Sequence, residues 1–208
     1  MLEVTGTDSK DLSRGDLRTL VARLALNEPR MRGCSASSVT AGGDRDTTAG
    51  NIDVHIDCPV PLAGPDFIPL ALMGFQVEKS DVPPSGIHDK MRLRVVLRPI
   101  IAELVARGGA YIIASAKGEV ADKPLSHRPL AMRQALDDSS NATELLINFC
   151  DRERSTARVN QYPGVPAWIR GQLGRRLSGW SIIGQSHGPV VAKGKRFLPN
   201  DQATVSVQ

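Results

Sequence analysis

The chain has 208 residues, of which 41% are hydrophobic and 23% charged, a composition that supports one packed domain and excludes general disorder. Its formal net charge is +4, and aromatic residues make up only 4%, so the core must be aliphatic and few rings remain to stack on bases. Three widely spaced cysteines without a Cys-x-x-Cys pair argue against a zinc ribbon or a disulfide framework.

The chain has neither a charged-then-apolar leader nor an apolar run long enough to cross a bilayer, so we expect a soluble, intracellular, cytoplasmic protein. Asp53, His55 and Asp57 share one face of a predicted strand, but a solvated polar face explains them better than a metal site. We therefore predict no metal and no cofactor.

Residues 1–50 are predicted to hold one helix and a flexible linker. Ser13 has the chemistry of an N-cap, and Asp16 complements the helix dipole. Apolar residues then follow at helical spacing at Leu17, Leu20, Val21 and Leu24. Pro29 is expected to end this helix, and residues 33–51, rich in Gly, Ser, Thr and Asp, indicate the linker.

Residues 51–192 are predicted to form a mainly β domain, an antiparallel jelly-roll-like sandwich. Strand candidates, separated by Pro- and Gly-rich turns, are residues 52–58, 67–77, 91–98, 111–115, 144–150, 180–183 and 189–191. Such strands with little helix between them are typical of a sandwich or barrel. Residues 100–107 fit either a short helix or a strand extension, and a helix there would indicate an α/β sheet instead.

The most informative of these segments is residues 91–98, where apolar side chains alternate with Arg92, Arg94 and Arg98. Successive strand side chains point to opposite faces, so the pattern predicts a strand with an apolar inner face and a cationic outer face. A row of guanidinium groups is suited to holding a polyanion.

A second group of cations lies near the C-terminus, since residues 151–208 carry nine Lys and Arg against three Asp and Glu. Residues 193–208 are predicted to be a basic tail. Glycines beside the cations at 174–176 and 193–196 allow the backbone to approach phosphates closely. The candidate nucleic-acid-binding residues are therefore Arg92, Arg94, Arg98, Arg170, Arg175, Arg176, Lys193, Lys195 and Arg196.

A serine-hydrolase motif is also present at Gly184-Gln185-Ser186-His187-Gly188. It requires a helix directly after the serine, and Pro189 with the β-branched residues that follow argues against one. The only histidine from Ser186 onward is adjacent to it and is badly placed to act as its base. A hairpin turn is the better interpretation, so we assign no catalytic residue.

From residue 92 onward the chain resembles the thirty-kilodalton superfamily of plant-virus cell-to-cell movement proteins. The resemblance covers roughly residues 52–155 and is carried by 92–101, by the Gly-led segment 108–113 and by 145–149. Ala114-Ser115-Ala116 stands where family members usually carry an aspartate. The resemblance implies a jelly-roll-like domain, cooperative binding of single-stranded nucleic acid, self-association and targeting to plasmodesmata.

The sequence thus predicts a non-enzymatic protein that binds single-stranded RNA or DNA without sequence preference. The resemblance implies that it self-associates and acts as a viral movement protein. Contact with a membrane surface is a further expectation for its basic face. Two alternatives remain open. One is a small serine hydrolase using Ser186, and the other is a structural β module such as a capsid or secretion component.

Overall fold

The computed structural model describes residues 3–31, 33–42, 52–60, 67–117, 122–137, 141–175, 181–183 and 191–193. The helices in these ranges are α1 (Gly6–Asp11), α2 (Arg14–Met31), α3 (Pro84–Met91), α4 (Pro99–Ala106), α5 (Asp122–Gln134), α6 (Arg152–Val159) and α7 (Gly164–Gln172), with a 3-10 turn at Ala36–Ser38. The strands are β1 (Val39–Ala41), β2 (Val54–Asp57), β3 (Leu72–Glu78), β4 (Arg92–Leu93), β5 (Val96–Leu97), β6 (Ala110–Ser115), β7 (Leu146–Cys150), β8 (Ser181–Ile183) and β9 (Val191–Lys193).

Five strands form one mixed sheet in the order β1-β2-β3-β6-β7. The first three pair in antiparallel fashion, whereas β3, β6 and β7 are parallel to one another. The carboxyl ends of these three strands therefore meet at one edge of the sheet, which we call the carboxyl edge. Because β2 runs the opposite way, its beginning at Asp53 lies at the same edge.

Helices cover both faces of the sheet and create two apolar cores. One core joins α1, α2, α6 and α7 to side chains such as Phe75 and Ile112, and the other joins α3, α4 and α5 to Tyr111 and Ile113. Strands β3 and β6 are buried along their whole length. Burial on both faces is the usual setting of parallel strands joined by helical crossovers.

The predicted antiparallel jelly-roll sandwich is wrong, because the described chain is a mixed α/β protein with parallel pairs at its centre. The misleading residues were prolines. Pro84 and Pro99 stand at the first turns of α3 and α4, where the missing N–H has no helical partner to lose. Residues 100–107 accordingly belong almost entirely to α4, which is the alternative that indicated an α/β sheet.

The predicted arginine strand at 91–98 is also wrong. Met91 ends α3, and Arg92-Leu93 pairs with Val96-Leu97 in a two-stranded hairpin whose turn contains Arg94 at φ 59°. This tight turn destroys the alternation of faces on which the prediction depended. Arg92 is buried, while Val95 and Val96 are 78% and 65% exposed.

Several local predictions agree with the structure. The Ser13 hydroxyl accepts from the Asp16 N–H at 3.1 Å at the start of α2, and the apolar stripe of that helix is buried. The prediction that Pro29 ends the helix is wrong, because α2 continues to Met31. The predicted linker at 33–51 is wrong in its described part, which contains the 3-10 turn and β1. The last two apolar segments pair as β8 and β9. No helix of the described residues is both long and apolar enough to span a membrane.

The cysteines depart from expectation. Cys34 and Cys58 are joined by a disulfide, although the sequence spacing argued against disulfides. Their Cα atoms lie 6.1 Å apart, within the range that this bond requires. Cys150 is free and buried, as an inert small apolar residue would be.

Candidate functional site at the carboxyl edge

A group of polar side chains, buried except for the half-buried Lys90, lies at the carboxyl edge, and we call it the carboxyl-edge cluster. Its members come from the residue before β2, from β3, from α3 and from β6, and they are Asp53, Gln76, Glu78, Lys90 and Tyr111. Asp53 directly precedes β2, and its N–H donates to the Phe75 carbonyl, so it lies beside the end of β3 that carries Gln76. Gln76 and Glu78 are two positions apart in β3 and therefore share one face of that strand.

All members of the cluster except Asp53 are joined by one hydrogen-bond chain. The Tyr111 hydroxyl donates to Gln76 Oε1, and Gln76 Nε2 donates to Glu78 Oε1 at 2.8 Å. Lys90 Nζ donates to the same Glu78 oxygen at 2.7 Å. Burial raises the pKa of Tyr111 far above its usual range, so this phenol stays protonated and acts as a donor. The hydrogen-bond chain thus occupies Gln76 Oε1 and Glu78 Oε1.

Asp53 is held at the edge by its backbone and by cations. Its N–H donates to the Phe75 carbonyl at 2.8 Å, and its Oδ2 accepts from the Val77 N–H at 2.6 Å. Arg18 of α2 forms an ion pair with it. Burial raises the pKa of the Asp53 carboxyl, while the Val77 N–H, Arg18 and Arg14 act in the opposite direction. The site therefore holds a carboxylate whose charge is only partly compensated.

Four cations from separate segments lie around this cluster, and we call them the edge cations. Arg14 stands at the start of α2, close enough to lower the pKa of Asp53 electrostatically. Lys79 follows β3, Lys117 follows β6 by two residues, and Arg154 lies in the first turn of α6 after β7. Arg14, Lys117 and Arg154 are exposed, and Lys79 is half-buried. Arg154 pairs with the buried Asp151 carboxylate at 3.6 Å, although most of its side chain remains exposed. The charges of these residues therefore face solvent at the edge where the parallel strands end.

Arginines of the 91–98 segment serve the fold instead. Arg92 donates to the Ala135 carbonyl at 2.7 Å and also to the Val95 carbonyl. Arg98 donates to the Asp89 carbonyl at 3.0 Å. Arg94 alone among the three is exposed, at the hairpin turn. The structure does not bring these three guanidinium groups into one outward row.

Predicted cations of the C-terminal quarter are also scattered. Arg170 donates to the Glu3 carbonyl at 3.0 Å, and Arg175 pairs with Asp8 and with Asp11, the latter at 3.0 Å. Lys193 ends β9, whereas Arg176, Lys195 and Arg196 lie outside the described residues, as does Ser186 of the hydrolase motif.

The side chains of Asp53, His55 and Asp57 do not lie close enough together to bind one cation. Asp57 lies at the opposite end of β2 and pairs with Arg107 at 2.9 Å. Within the described residues, no three or more His, Cys, Asp or Glu side chains are grouped as metal ligands would be. Gln76 and Glu78 were not predicted as site residues from the sequence. Two polar residues inside an otherwise apolar strand are nevertheless a pattern that could have indicated a buried polar site.

Comparisons with protein-family models, with curated proteins and with solved structures give no match for this chain. The chemistry of the carboxyl edge is thus the basis for a functional proposal. Exposed Lys and Arg are suited to phosphate groups, and the buried carboxylate and amide oxygens are hard donors of the kind that Mg²⁺ prefers.

Proposed function

We propose that the protein binds nucleic acid at the carboxyl edge without reading its sequence. The observation that carries this proposal is the convergence of the edge cations, which come from four separate segments and meet only through the fold. Cations that neutralise backbone phosphates release condensed counterions, and this release supplies most of the affinity of sequence-independent binding.

The arrangement favours a polymer over a small anion. Neighbouring strands lie about 4.8 Å apart, so Lys79, Lys117 and Arg154, which follow three adjacent strands, extend along the edge. An extended row of cations matches successive phosphates better than a single one.

Single-stranded RNA or DNA remains the predicted ligand, and binding without chemical conversion remains the simplest activity. Self-association and the transport role that the resemblance to movement proteins implies remain predictions as well. The jelly-roll fold that the same resemblance implies is not the fold of this chain.

Fluorescence anisotropy with labelled single-stranded RNA tests the proposal. We expect tight binding at low salt and roughly tenfold weaker binding for the double variant Lys79→Ala/Lys117→Ala, because two phosphate contacts are lost. Arg94→Ala is the matched control, since it removes an exposed cation from the hairpin. Equal affinities for the wild type and the double variant would overturn the assignment of the surface.

A second candidate function is metal-assisted hydrolysis of a phosphodiester, and the carboxyl-edge cluster favours it. The Asp53 and Glu78 carboxylates both lie at this edge, close enough that Glu78 helps to raise the pKa of Asp53. Mg²⁺ is commonly bound by one or two carboxylates together with substrate phosphates. A bound ion would activate water and stabilise the developing charge on the phosphate. Lys90 lies beside the Glu78 carboxylate at the same place.

Incubation of the full chain with labelled nucleic acid, in Mg²⁺ or in a chelator, separates the two functions. Hydrolysis predicts cleavage that requires the ion and is lost in Asp53→Asn, with binding retained. Asp57→Asn is the control, because Asp57 lies at the other end of β2. Binding without cleavage in Mg²⁺ or Mn²⁺ would leave the first proposal and eliminate the second.

A further inference from the structure

The disulfide joins two parts of the chain that meet at the end of the sheet opposite Asp53. Cys34 lies between α2 and the 3-10 turn that leads into β1, and Cys58 directly follows β2. Both are buried, at 6% and 5% exposure. The bond therefore ties the connection before β1 to the far end of the strand with which β1 pairs.

Besides the bond, strand β1 is attached only through its pairing with β2 and through α2, against which Val39 packs in the first core, as far as the described residues show. It has three residues at the edge of the sheet, with Val39 half-buried and Thr40 and Ala41 exposed. Its pairing with β2 runs only from Val39 opposite Ile56 to Ala41 opposite Val54, extended by one bond from the Gly42 N–H to the Asp53 carbonyl at 2.7 Å. Short edge strands with little buried side-chain area have low local stability.

We propose that the Cys34–Cys58 bond is a redox-controlled clamp that holds β1 on β2. In its absence β1 detaches, while β2, β3, β6 and β7 stay paired because they are covered by helices. This inference is independent of the proposed function.

The chemistry of the clamp is thiol–disulfide exchange with a small disulfide such as oxidised glutathione. One cysteine thiolate attacks glutathione disulfide and releases one glutathione, and the second thiolate then displaces the other glutathione as the Cys34–Cys58 bond forms. Two protons leave the protein thiols, and two electrons pass to the oxidant. Excess reduced thiol reverses both steps.

Cys150 does not compete for either partner. It is buried on β7, and its thiol contacts the Ser155 hydroxyl at 3.2 Å. Burial raises the pKa of the Cys150 thiol to about 11, so almost none of it is the reactive thiolate at neutral pH. Cys34 and Cys58 are bonded to each other whereas Cys150 is free, so Cys34 and Cys58 are the pair that responds to the redox buffer.

Hydrogen exchange on the full chain, in oxidised and in reduced glutathione, tests the clamp. Peptide mapping of the oxidised sample first locates the bond between Cys34 and Cys58. We expect amides of residues 39–42 to exchange at least tenfold faster after reduction, with β6 and α5 unchanged. Cys34→Ser is expected to show the fast rate in both buffers, and Cys150→Ser to respond as the wild type does.

Three results would overturn the inference. The first is the absence of the Cys34–Cys58 linked peptide from the oxidised sample. The second is an equal exchange rate of residues 39–42 in both buffers. The third is faster exchange across the whole sheet after reduction, since the bond would then stabilise the fold as a unit. The wild-type comparison decides the matter even if the Cys34→Ser variant does not fold.

Discussion

The hairpin at 92–97 and the carboxyl-edge cluster both depart from the usual rule that apolar side chains are buried and polar ones exposed, but they do so in different ways. In the hairpin the aliphatic residues Val95 and Val96 are exposed while Arg92 is buried. In the cluster, Gln76 and Glu78 are buried inside a strand whose other residues are apolar. A charged residue that the sequence pattern places on a surface can thus be buried in the fold, as Arg92 is, and cannot then bind a ligand.

The two regions differ in what satisfies their charged groups. The Arg92 guanidinium is bound to backbone carbonyls on both sides of it, so it organises the hairpin and faces no ligand. Lys79 and Lys117 instead stand just after the strands end, where parallel topology directs chain ends to one edge. A cation becomes part of a binding surface through the topology that positions it.

The substitution Lys90→Met is expected to have the largest effect, because it breaks the ion pair between Lys90 and Glu78. The buried Glu78 carboxylate would keep its hydrogen bond from the Gln76 amide but lose its cationic partner. We expect a loss of about 3 kcal/mol in the free energy of unfolding, measured by urea denaturation. Lys117→Met, at an exposed position, is expected to stay within about 0.5 kcal/mol of the wild type. Similar losses for both variants would show that the cluster does not contribute to stability.

A smaller effect is expected from the hairpin. Arg92→Ala leaves the Ala135 and Val95 carbonyls without their donor, and we expect a loss of about 2 kcal/mol. Arg94→Ala removes an exposed side chain from the same hairpin and should change stability by less than about 0.5 kcal/mol. If the two variants have the same denaturation midpoint, the division between buried and exposed arginines is wrong.

The smallest effect concerns pH. Burial raises the pKa of Asp53 above its unfolded value, so the folded chain binds this proton more tightly. Stability from this group is therefore present at low pH and is lost as pH rises through the range just above the ordinary carboxyl pKa. Asp53→Asn should flatten this decline in unfolding free energy measured from pH 3 to 7. An unchanged decline would assign it to other groups.

Local chemistry made some elements predictable. The helix α2 follows from the Ser13 cap and an apolar stripe, both of which depend on residues close together in the chain. The central strands were found as apolar segments, but their parallel order was not. That order depends on α3, α4 and α5, whereas the Pro- and Gly-rich segments were interpreted as turns between strands. Pro84 and Pro99 begin α3 and α4 instead.

The candidate site was predictable only in part. The sequence grouped Asp53 with His55 and Asp57 on one strand face, but in the fold Asp53 lies near residues from other elements. Gln76 is brought to it by the β2–β3 register, and Lys90 and Tyr111 come from α3 and β6. Gly74 lies in the middle of β3, where a Cβ would clash with the Ile52 side chain and lie 3.1 Å from Leu104. Such contacts are set by tertiary packing and leave little local pattern.

The most direct test of the carboxyl edge as the binding surface is the salt dependence of RNA affinity. For single strands, the slope of log K against log salt concentration changes by about 0.7 for each phosphate contact. We therefore expect the slope for Lys79→Ala/Lys117→Ala to be smaller than that of the wild type by roughly 1.4, and the slope for Arg94→Ala to be unchanged. A slope that falls for Arg94→Ala and stays constant for the double variant would contradict the account and place binding on the hairpin.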